Sequence, residues 1–330
     1  MKDISIIIPN YNGETLLEKN LPRIIEAAEY YLEKSGGNIE IIVVDDASTD
    51  ESVKIVQSSK FKVQSYSSKW SLHSFVHDVP KIKIIKNERN LGFASTVNHG
   101  VIEAHGEFVV LLNTDVVPEK DFIAPLVKHF ENEKVFAVGC VDRSVEGSKV
   151  VLRGRGIGKW ERGFLMHSRG EVDRTDTLWV SGGSGAFRKS IWEELGGFDT
   201  LYNPFYWEDI DLSYRAQKMG YILFFEPKSV VIHEHGKGAI LKNYSPLYVK
   251  TIAYRNQFIF IWKNVSDVDF VLSHLFWLPY HIGAALVRLD VPFLYGMLLA
   301  ILKFALIMNK RVKLKKLHVV TDKEILNQFV

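Results

Sequence analysis

The sequence predicts an α/β fold in which a doubly wound, mostly parallel sheet is flanked by helices. Strand-like and helix-like segments alternate over the first 112 residues, the order that places parallel strands side by side with helices on both faces. Residues 41–44 and 108–112 are unbroken apolar runs, typical of strands buried on both faces. Both runs lead into aspartates, namely Asp45, Asp46 and Asp115. Ligands bind at the carboxyl edge of such sheets, so these carboxylates indicate a site for a nucleotide and a divalent metal ion.

The first half of the chain alternates strand and helix signals. Residues 9–13 are rich in turn-forming residues, and the apolar residues between 17 and 32 recur at helical spacing. Residues 47–52 have the pattern of a capped helix start, and a further helix is expected from 93 to about 104. Residues 58–80, which are rich in serine and lysine, are expected to form an extended loop or insertion. The predicted strands are residues 4–8, 39–44, 81–86 and 107–112.

The second half of the chain is less regular. A helix and a strand are expected within 116–141, and residues 142–177, rich in glycine and arginine, predict loops or an excursion of β-structure. Residues 182–185 predict a flexible turn before a short helix at 189–195. The remaining predicted elements are a helix at 207–219, strands at 221–225 and 229–233, and helices from about residue 244 onward.

Composition bounds the class of protein. The 330-residue chain has a net charge of +2 and 47% hydrophobic residues, which is ordinary for a globular protein and too weakly charged to predict a nucleic-acid partner. The single cysteine, Cys140, excludes an internal disulfide and suits a reducing compartment. Its apolar neighbours predict a small core residue rather than a nucleophile. The N-terminus leads straight into a strand rather than a secretory signal, so we expect a cytoplasmic protein.

Two positions have the chemistry of metal ligands. Asp115 could hold Mg²⁺ or Mn²⁺ beside the phosphates of a nucleotide, or it could cap a helix before Pro118. A histidine at the end of a predicted strand, His233 or His235, could be a further ligand or a structural residue. Spacing alone does not separate these two histidines.

Residues 207–211 place three carboxylates within four positions. Such groups repel one another unless a cation or a substrate hydroxyl needs them. Glu208 and Asp211 lie three apart on one helical face, whereas Asp209 faces elsewhere and is free for a different task. The alternative is an acidic first turn that is stabilised by the helix dipole.

Other polar residues near the predicted strand ends suit a nucleotide. Asp45 and Asp46 could accept hydrogen bonds from a base or ribose, and Tyr11 could stack on the base. Gly92 and Asn98 lie at and after a helix start, where backbone N–H groups can meet phosphate. This loop alone is weak evidence, because it matches no phosphate-loop pattern.

Six blocks of sequence carry these residues in a fixed order. They are Pro-Asn-Tyr-Asn-Gly at 9–13, Val-Val-Asp-Asp-Ala-Ser-Thr-Asp at 43–50, Asn-Leu-Gly-Phe-Ala at 90–94, Leu-Leu-Asn-Thr-Asp at 111–115, Ser-Gly-Gly-Ser-Gly-Ala-Phe at 181–187, and Gly-Gly-Phe-Asp at 196–199 through Trp-Glu-Asp-Ile-Asp-Leu at 207–212. Together the blocks resemble the family 2 inverting glycosyltransferases with the GT-A fold. The pattern is most similar to the branch that includes rhamnosyltransferases of bacterial surface polysaccharides.

The resemblance covers about residues 3–240 and implies a domain organisation. A GT-A catalytic domain would occupy residues 1–240, with a nucleotide-binding half at 1–115 and an acceptor half at 116–240. Residues 241–330 would form a C-terminal helical region that is apolar and basic.

The resemblance also implies roles for individual residues. Asp209 would be the general base, and Asp115 with His233 would bind Mg²⁺ or Mn²⁺. Asn113 stands where the family's metal motif has its first aspartate, so metal binding depends more heavily on Asp115 and His233. The implied nucleotide and donor contacts are Pro9, Tyr11, Asn12, Asp45, Asn90, Gly92, Asn98, Asn113 and Thr114. The implied cleft for donor sugar and acceptor is lined by Gly182, Gly183, Trp207 and Glu208.

The implied function is transfer of a sugar, with rhamnose as one candidate, from a nucleotide-diphosphate donor to a saccharide acceptor. The acceptor would be lipid-linked and the product a cell-surface polysaccharide. One carboxylate base without a second nucleophilic carboxylate predicts a single displacement with inversion. Two alternatives stay open. A nucleotidyltransferase would want a loop rich in glycine and basic residues after the first strand, and a catalytically silent homologue would act as a scaffold.

Two apolar stretches, residues 270–287 and 291–308, precede a basic run near the end of the sequence. A helix of 18 residues spans about 27 Å, just short of the roughly 30 Å hydrocarbon core. We therefore expect helices that lie on the inner face of the cell membrane, with the basic residues after Met308 meeting anionic headgroups. The alternatives are a hairpin that crosses the bilayer and a buried helical pair that forms a homodimer contact.

Overall fold

The computed structural model describes residues 2–58, 80–146, 149–234 and 244–329. The insertion predicted at 58–80 falls almost entirely outside the described residues, and so does His235.

Most of the described strands belong to one mixed sheet. The strands are β1 (Ile4–Asn10), β2 (Ile39–Asp45), β3 (Lys81–Lys86), β4 (Phe108–Leu112), β5 (Val116–Pro118), β6 (Val135–Glu146), β7 (Lys149–Arg153), β8 (Gly156–Glu161), β9 (Phe164–Arg169), β10 (Ser184–Arg188) and β11 (Ile222–Glu234). The sheet order is β3-β2-β1-β4-β10-β6-β11-β5, with β7 also paired to β6. Strands β3, β2, β1 and β4 are parallel, as are β6 and β11. Strands β8 and β9 form a separate hairpin.

Helices flank this sheet and dominate the C-terminal part of the chain. They are α1 (Glu14–Ser35), α2 (Ser52–Gln57), α3 (Phe93–Ile102), α4 (Ile123–Lys128), α5 (Lys189–Glu194), α6 (Glu208–Lys218), α7 (Pro246–Asn264), α8 (Val268–Val287), α9 (Val291–Ile301), α10 (Phe304–Lys315) and α11 (Asp322–Leu326). The predicted fold class, an α/β protein with a helix-flanked, mostly parallel sheet and a helical C-terminal extension, is confirmed.

Strand β4 is apolar along its whole length because both faces of the sheet are covered. Val110 and Leu112 pack with Leu21 of α1 on one face, and Val109 and Leu111 pack on the other face, against α3. Successive strand residues point to opposite faces. Burial of each such side chain contributes about 1.5–3 kcal/mol to the stability of the fold. A strand in which apolar and polar residues alternate would lose this contribution on one face of the sheet.

The structure confines the turn expected at 182–185 to Gly182 and Gly183. Ser184–Arg188 is instead strand β10, buried in the middle of the sheet and antiparallel to both β4 and β6. A Cβ on Gly185 would lie 2.3 Å from Cγ1 of Val180, so this close approach requires glycine. The glycines that suggested a turn therefore reflect tight packing.

Other predictions for the second half fare differently. The expected β-excursion at 142–177 is confirmed by β7, β8 and β9. The two strands expected at 221–225 and 229–233 are one strand, β11, whose register with β6 shifts between Glu226 and Val230. Cys140 is buried as predicted, and burial raises the pKa of its thiol to about 12.

The C-terminal helices share a hydrophobic core with the sheet-bearing part of the chain. Phe258 and Phe260 of α7 pack in one cluster with Leu201, Trp207 and Tyr214. The domain boundary expected at residue 240 remains a prediction. The helices beyond residue 240 bury side chains of α6 and of the segment just before it.

Some apolar side chains of the C-terminal helices are exposed. By length and composition, α8 is the one described helix that could cross a membrane unaided. Helices α9 and α10 would qualify only as a pair, and they are bent by 66° at the break between them.

A buried ion network joins α6 to α7. Lys263 Nζ lies 2.7 Å from a carboxylate oxygen of Asp199 and 2.7 Å from one of Asp211. Arg215 Nε donates to the other oxygen of Asp211 at 2.8 Å. Burial alone would raise the pKa of Asp199, but the Lys263 and Lys310 ammonium groups hold that pKa well below its usual range. Each charge is thus compensated inside the core.

We expect Lys263→Met to destabilise the protein strongly. The substitution leaves Asp199 and Asp211 buried beside each other without their shared cation, and breaking a buried pair in this way typically costs about 3–5 kcal/mol. The measurement is the free energy of unfolding in urea. The matched control is Lys313→Met, because Lys313 is exposed and should change stability by no more than about 0.5 kcal/mol. Equal stabilities for the two variants would contradict the network's role.

Candidate active site

The ends of β1 and β2 meet because the two strands are parallel and paired in register, with Asn10 opposite Asp45. Asn10 Nδ2 donates to Asp45 Oδ1 at 2.8 Å, and the Ser48 backbone N–H donates to Asp45 Oδ2 at 3.1 Å. The Asn12 backbone N–H donates to Ser48 Oγ at 2.9 Å. Asp45 is therefore buried and orders the loops that carry Asn12 and the half-buried Tyr11.

Asp46 serves a different loop from its neighbour. Its carboxylate accepts hydrogen bonds from Asn87 Nδ2 at 2.8 Å and from the backbone N–H groups of Leu91 and Gly92 at 2.8 and 3.0 Å. The Gly92 N–H also approaches Asn90 Oδ1 at 3.1 Å. The Gly92 N–H is thus bonded within the chain in this structure, and its predicted contact with phosphate stays a prediction.

The side-chain amide of Asn98 makes its hydrogen bonds within the chain. Its Nδ2 donates to the Phe198 carbonyl at 2.8 Å, and its Oδ1 accepts from the Phe198 N–H at 2.9 Å. Both ends of the amide are used to fasten α3 to the segment that leads into the acidic motif. The predicted role of Asn98 in donor binding stays a prediction.

The remaining predicted nucleotide residues lie around the same edge. Pro9 is half-buried in β1 opposite Val44. The Thr114 carbonyl accepts from Asn20 Nδ2 at 2.7 Å. Burial, together with the nearby Tyr248, Tyr11 and Asp46, raises the pKa of Tyr244. Sequence reasoning did not include Tyr244, which lies after the predicted strands.

Asn113 and Gly183 approach each other closely across the sheet edge. The Asn113 N–H donates to the Gly183 carbonyl at 3.0 Å, and a Cβ on Gly183 would lie 2.6 Å from Asn113 Nδ2. Asn113 Oδ1 is buried and has no hydrogen-bond partner among the described residues. An unsatisfied acceptor is costly, so this oxygen is a candidate for donor contact.

Asp115 and His233 are brought together, as the sequence predicted. His233 Nε2 lies 3.3 Å from Asp115 Oδ2, and His233 Nδ1 lies 3.1 Å from a carboxylate oxygen of Asp142. Burial alone would lower the pKa of His233, but the two carboxylates raise it to about 9. Sequence reasoning missed Asp142, which falls in a stretch that was interpreted as loops.

This donor set fits a hard divalent cation in its chemistry. Carboxylate oxygens and an imidazole nitrogen suit Mg²⁺ or Mn²⁺, and the contact of Nδ1 with Asp142 leaves Nε2 of His233 directed toward Asp115. However, the described residues include no group of three or more His, Cys, Asp or Glu side chains that could hold a metal ion. The metal ligands therefore stay a prediction.

The acidic motif begins α6 after a strained turn. Tyr206 and Trp207 have φ angles of 70° and 76°, and Asn256 Nδ2 donates to the Tyr206 carbonyl at 2.8 Å. The Trp207 side chain is buried against Phe260 and the ring of His167. The indole therefore supports the start of the helix, and the predicted place of Trp207 in the lining of the cleft stays a prediction.

The three carboxylates of the motif occupy different environments. Asp209 is half-buried, and its oxygens accept from the Gly182 N–H at 3.3 Å and the Ile210 N–H at 2.8 Å. Glu208 is buried, and burial and the charge of Asp209 raise its pKa to about 8. Burial likewise raises the pKa of Asp209. Asp211 is fully buried in the network with Lys263. Asp209 is therefore the one member of this motif that combines access with basicity.

We expect Gly183→Ala to destabilise the fold because its methyl group would collide with Asn113. Overpacking of this kind typically costs about 1–3 kcal/mol. Gly283→Ala in α8 is the matched control, because no atom lies within 4 Å of its Cβ position and alanine favours a helix by about 0.5–1 kcal/mol. Thermal unfolding should separate the two variants. A neutral Gly183→Ala would contradict the close approach.

Comparison with known proteins agrees with this geometry. The family described as glycosyl transferase family 2 matches residues 5–196. A dolichol-phosphate mannosyltransferase of Pyrococcus furiosus is 32% identical over 147 residues, which are 44% of this chain and 35% of the relative. The O-antigen chain rhamnosyltransferase RfbN of Salmonella typhimurium is 25% identical over 247 residues, 74% of this chain and 68% of the relative. The chain spans 35% to 49% of the length of the Pyrococcus, Bacillus and Mycobacterium relatives.

Solved structures agree on the fold. The mannosyltransferase PcManGT from Pyrobaculum calidifontis, in complex with GDP-Man and Mn²⁺, matches with a TM-score of 0.56 and 19% identity, over 98% of this chain and 87% of its own. TarS from S. aureus, in complex with UDP-GlcNAc, matches with a TM-score of 0.55 and 16% identity, over 83% of this chain and 72% of its own. These likenesses confirm the GT-A fold. With the family match over more than half of its length, the chain belongs to glycosyltransferase family 2.

Proposed function

We propose that this protein is an inverting glycosyltransferase that moves a sugar from a nucleotide-diphosphate donor to a saccharide acceptor. The observation that carries the proposal is Asp209, a half-buried carboxylate of raised pKa at the start of α6. It is held against the Gly182 N–H by a helix that is anchored through Asp211 to Lys263. Relatives that transfer rhamnose, mannose and N-acetylglucosamine support the class of donor.

The nucleoside end of the donor would bind at the edge formed by β1 and β2. Tyr11 supplies an aromatic face, and Asp45 orders the loop around it. Asn113 Oδ1 could accept a hydrogen bond from the donor, because no described residue satisfies it. A contact from the Gly92 N–H or the Asn98 side chain would require each to give up a hydrogen bond within the chain.

Asp115 and His233 would hold the divalent ion. When bound, Mg²⁺ or Mn²⁺ stabilises the negative charge that develops on the leaving diphosphate. Asp142 would orient His233 through Nδ1. The Mn²⁺ in the solved complex of PcManGT supports this assignment.

The reaction would be a single displacement. Asp209 accepts the proton of the acceptor hydroxyl, the hydroxyl oxygen bonds to the anomeric carbon, and the bond to the diphosphate breaks on the opposite face. A raised pKa makes Asp209 a stronger base than an ordinary aspartate. Glu208 keeps its proton up to a pH of about 8, so it does not compete as a nucleophile.

We propose further that the acceptor is lipid-linked and that the enzyme lies on the inner face of the membrane, in cell-surface polysaccharide synthesis. One face of α8 packs on the β8–β9 hairpin, where Trp160 Nε1 donates to Ser273 Oγ at 3.1 Å. The opposite face exposes Leu272, Leu275 and Phe276. A helix that is docked on one side and apolar on the other suits a position in the plane of the membrane. A second copy of the chain is the alternative occupant of this face.

The basic residues at the end of α10 do not all face outward. Lys310 Nζ pairs with Asp199 at 2.9 Å, and Arg311 donates to the Trp262 carbonyl at 3.0 Å. The three that remain exposed are Lys313, Lys315 and Lys316. These three are the ones available to anionic headgroups.

Asp209→Asn should lower turnover about 10²–10⁴-fold, the usual contribution of a general base. Donor affinity should stay within a few-fold, since the carboxylate acts on the acceptor proton. In the wild type, the rate should fall as pH drops through the raised pKa of Asp209, because the protonated carboxyl cannot accept a proton. Released nucleoside diphosphate is the readout.

The matched control for the base is Asp269→Asn, the same change at an exposed position of α8, which should leave turnover unchanged. An Asp209→Asn enzyme with more than about a tenth of wild-type turnover would reject the base. A wild-type protein that neither transfers nor hydrolyses any nucleotide sugar would indicate a catalytically silent homologue.

Chelator should abolish activity, and added Mn²⁺ or Mg²⁺ should restore it. Asp115→Ala should weaken nucleoside-diphosphate binding far more than nucleoside binding, because the ion contacts phosphates. Calorimetric titration of both ligands measures this difference. Asp121→Ala, at an exposed aspartate nearby in sequence, should bind both like the wild type. Full activity in excess chelator would reject the site.

A further inference from the structure

A cavity of about 330 Å³ lies between the turn of the β8–β9 hairpin and helices α7, α8 and α9. Phe164 and Met166 line it from one face of β9. His167, on the other face of the strand, contacts Trp207 with ring centroids 4.9 Å apart. The hairpin thus separates this cavity from the acidic motif, and the proposed reaction does not use it.

The cavity is preformed because the hairpin turn is fastened to α8. His281 Nε2 donates to the Arg162 carbonyl and His274 Nδ1 to the Gly163 carbonyl, both at 2.8 Å. A Cβ on Gly163 would lie 2.8 Å from the His274 Cα atom, so glycine is required for this approach. The two histidines that a spanning helix would carry into the bilayer are here bonded to the turn.

Two guanidinium groups that line the cavity have no carboxylate partner among the described residues. Glu161 pairs with Lys159 at 2.5 Å, and Asp290 pairs with Lys250 at 3.1 Å. Arg162 and Arg288 also line the cavity and are exposed, and neither makes an ion pair with a described residue, although the Arg162 guanidinium lies over the Trp277 ring, 5.8 Å from its centroid. One guanidinium group can donate hydrogen bonds to two phosphate oxygens at once. The mouth of the cavity therefore suits a phosphate.

The residues around Arg288 favour the phosphate of a lipid over free phosphate. Leu286, Val287, Leu289 and Val291 form the tip between α8 and α9, and between 58% and 86% of each is exposed. An arginine encircled by exposed apolar side chains suits the boundary between headgroups and acyl chains. A free phosphate would make no use of these side chains.

We propose that this cavity binds the phosphate headgroup of an anionic membrane phospholipid, with the apolar tip inserted among the acyl chains. The inference rests on the proposed membrane association and names the site that carries it. The apolar walls from Phe164, Met166 and Phe293 accommodate the glycerol end of the lipid, and Arg162 and Arg288 bind its phosphate.

The test is co-sedimentation of the full-length protein with vesicles of phosphatidylcholine alone or mixed with phosphatidylglycerol. Arg162→Gln with Arg288→Gln should weaken binding to the anionic vesicles by more than about 30-fold, because it removes the guanidinium–phosphate hydrogen bonds as well as the roughly fivefold attraction that each basic residue near a membrane contributes. Lys315→Gln with Lys316→Gln removes the same charge from the end of α10 and should cost clearly less. Ala284→Trp fills the cavity without a change of charge and should also weaken binding. Its unfolding temperature is measured to check that the variant is folded.

Equal losses for the arginine and lysine pairs would overturn the proposal and indicate general surface attraction. Release of the protein from vesicles by millimolar inorganic phosphate would show a site for free phosphate instead. Hydrolysis of nucleotide sugars in solution should be unchanged in the arginine variant. An absence of hydrolysis in the wild type would reject the proposed function while leaving the vesicle result intact.

Discussion

Lys263 lies fully buried between two carboxylates, and the position of the candidate catalytic base depends on it. The lysine comes from α7, whereas Asp211 belongs to α6 and Asp199 to the loop before it. Arg215 extends the network to the carbonyls of Leu195 and Gly197 at 2.6 and 2.7 Å. Because removal of one partner leaves a buried charge uncompensated, these segments cannot move independently. The C-terminal helices therefore hold the first turn of α6, and with it Asp209, against the sheet.

The acidic motif shows how environment assigns tasks to identical side chains. Burial and the charge of Asp209 raise the pKa of Glu208 to about 8, and Glu208 Oε2 has no hydrogen-bond partner among the described residues. Burial would raise the pKa of Asp211 as well, but Lys263 and Arg215 lower it. Asp209 lies between these extremes, with two backbone donors and access to solvent. Separation of pKa values among neighbouring carboxyl groups is a common arrangement in active sites.

The sequence could predict the elements whose signal is local. Apolar runs such as Phe108–Leu112 report burial on both faces, and acidic residues after them report the carboxyl edge. Strand β10 was missed because its glycines resemble a turn, although Gly185 is set by its approach to Val180. Asp142 and Lys263 were missed because their partners are distant in the chain and spacing cannot reveal them. The hydrogen bonds of Asn98 were missed for the same reason, since only the fold brings Phe198 to it.

The configuration of the product tests the central claim most directly, and it requires no known acceptor. Water can replace the acceptor hydroxyl, so proton NMR can follow the sugar that is first released from a nucleotide donor of known anomeric configuration. A single displacement assisted by Asp209 predicts that an α-linked donor gives the β-sugar before mutarotation. Initial release of the α-sugar would mean two displacements or a different nucleophile, and it would contradict the mechanism built on Asp209.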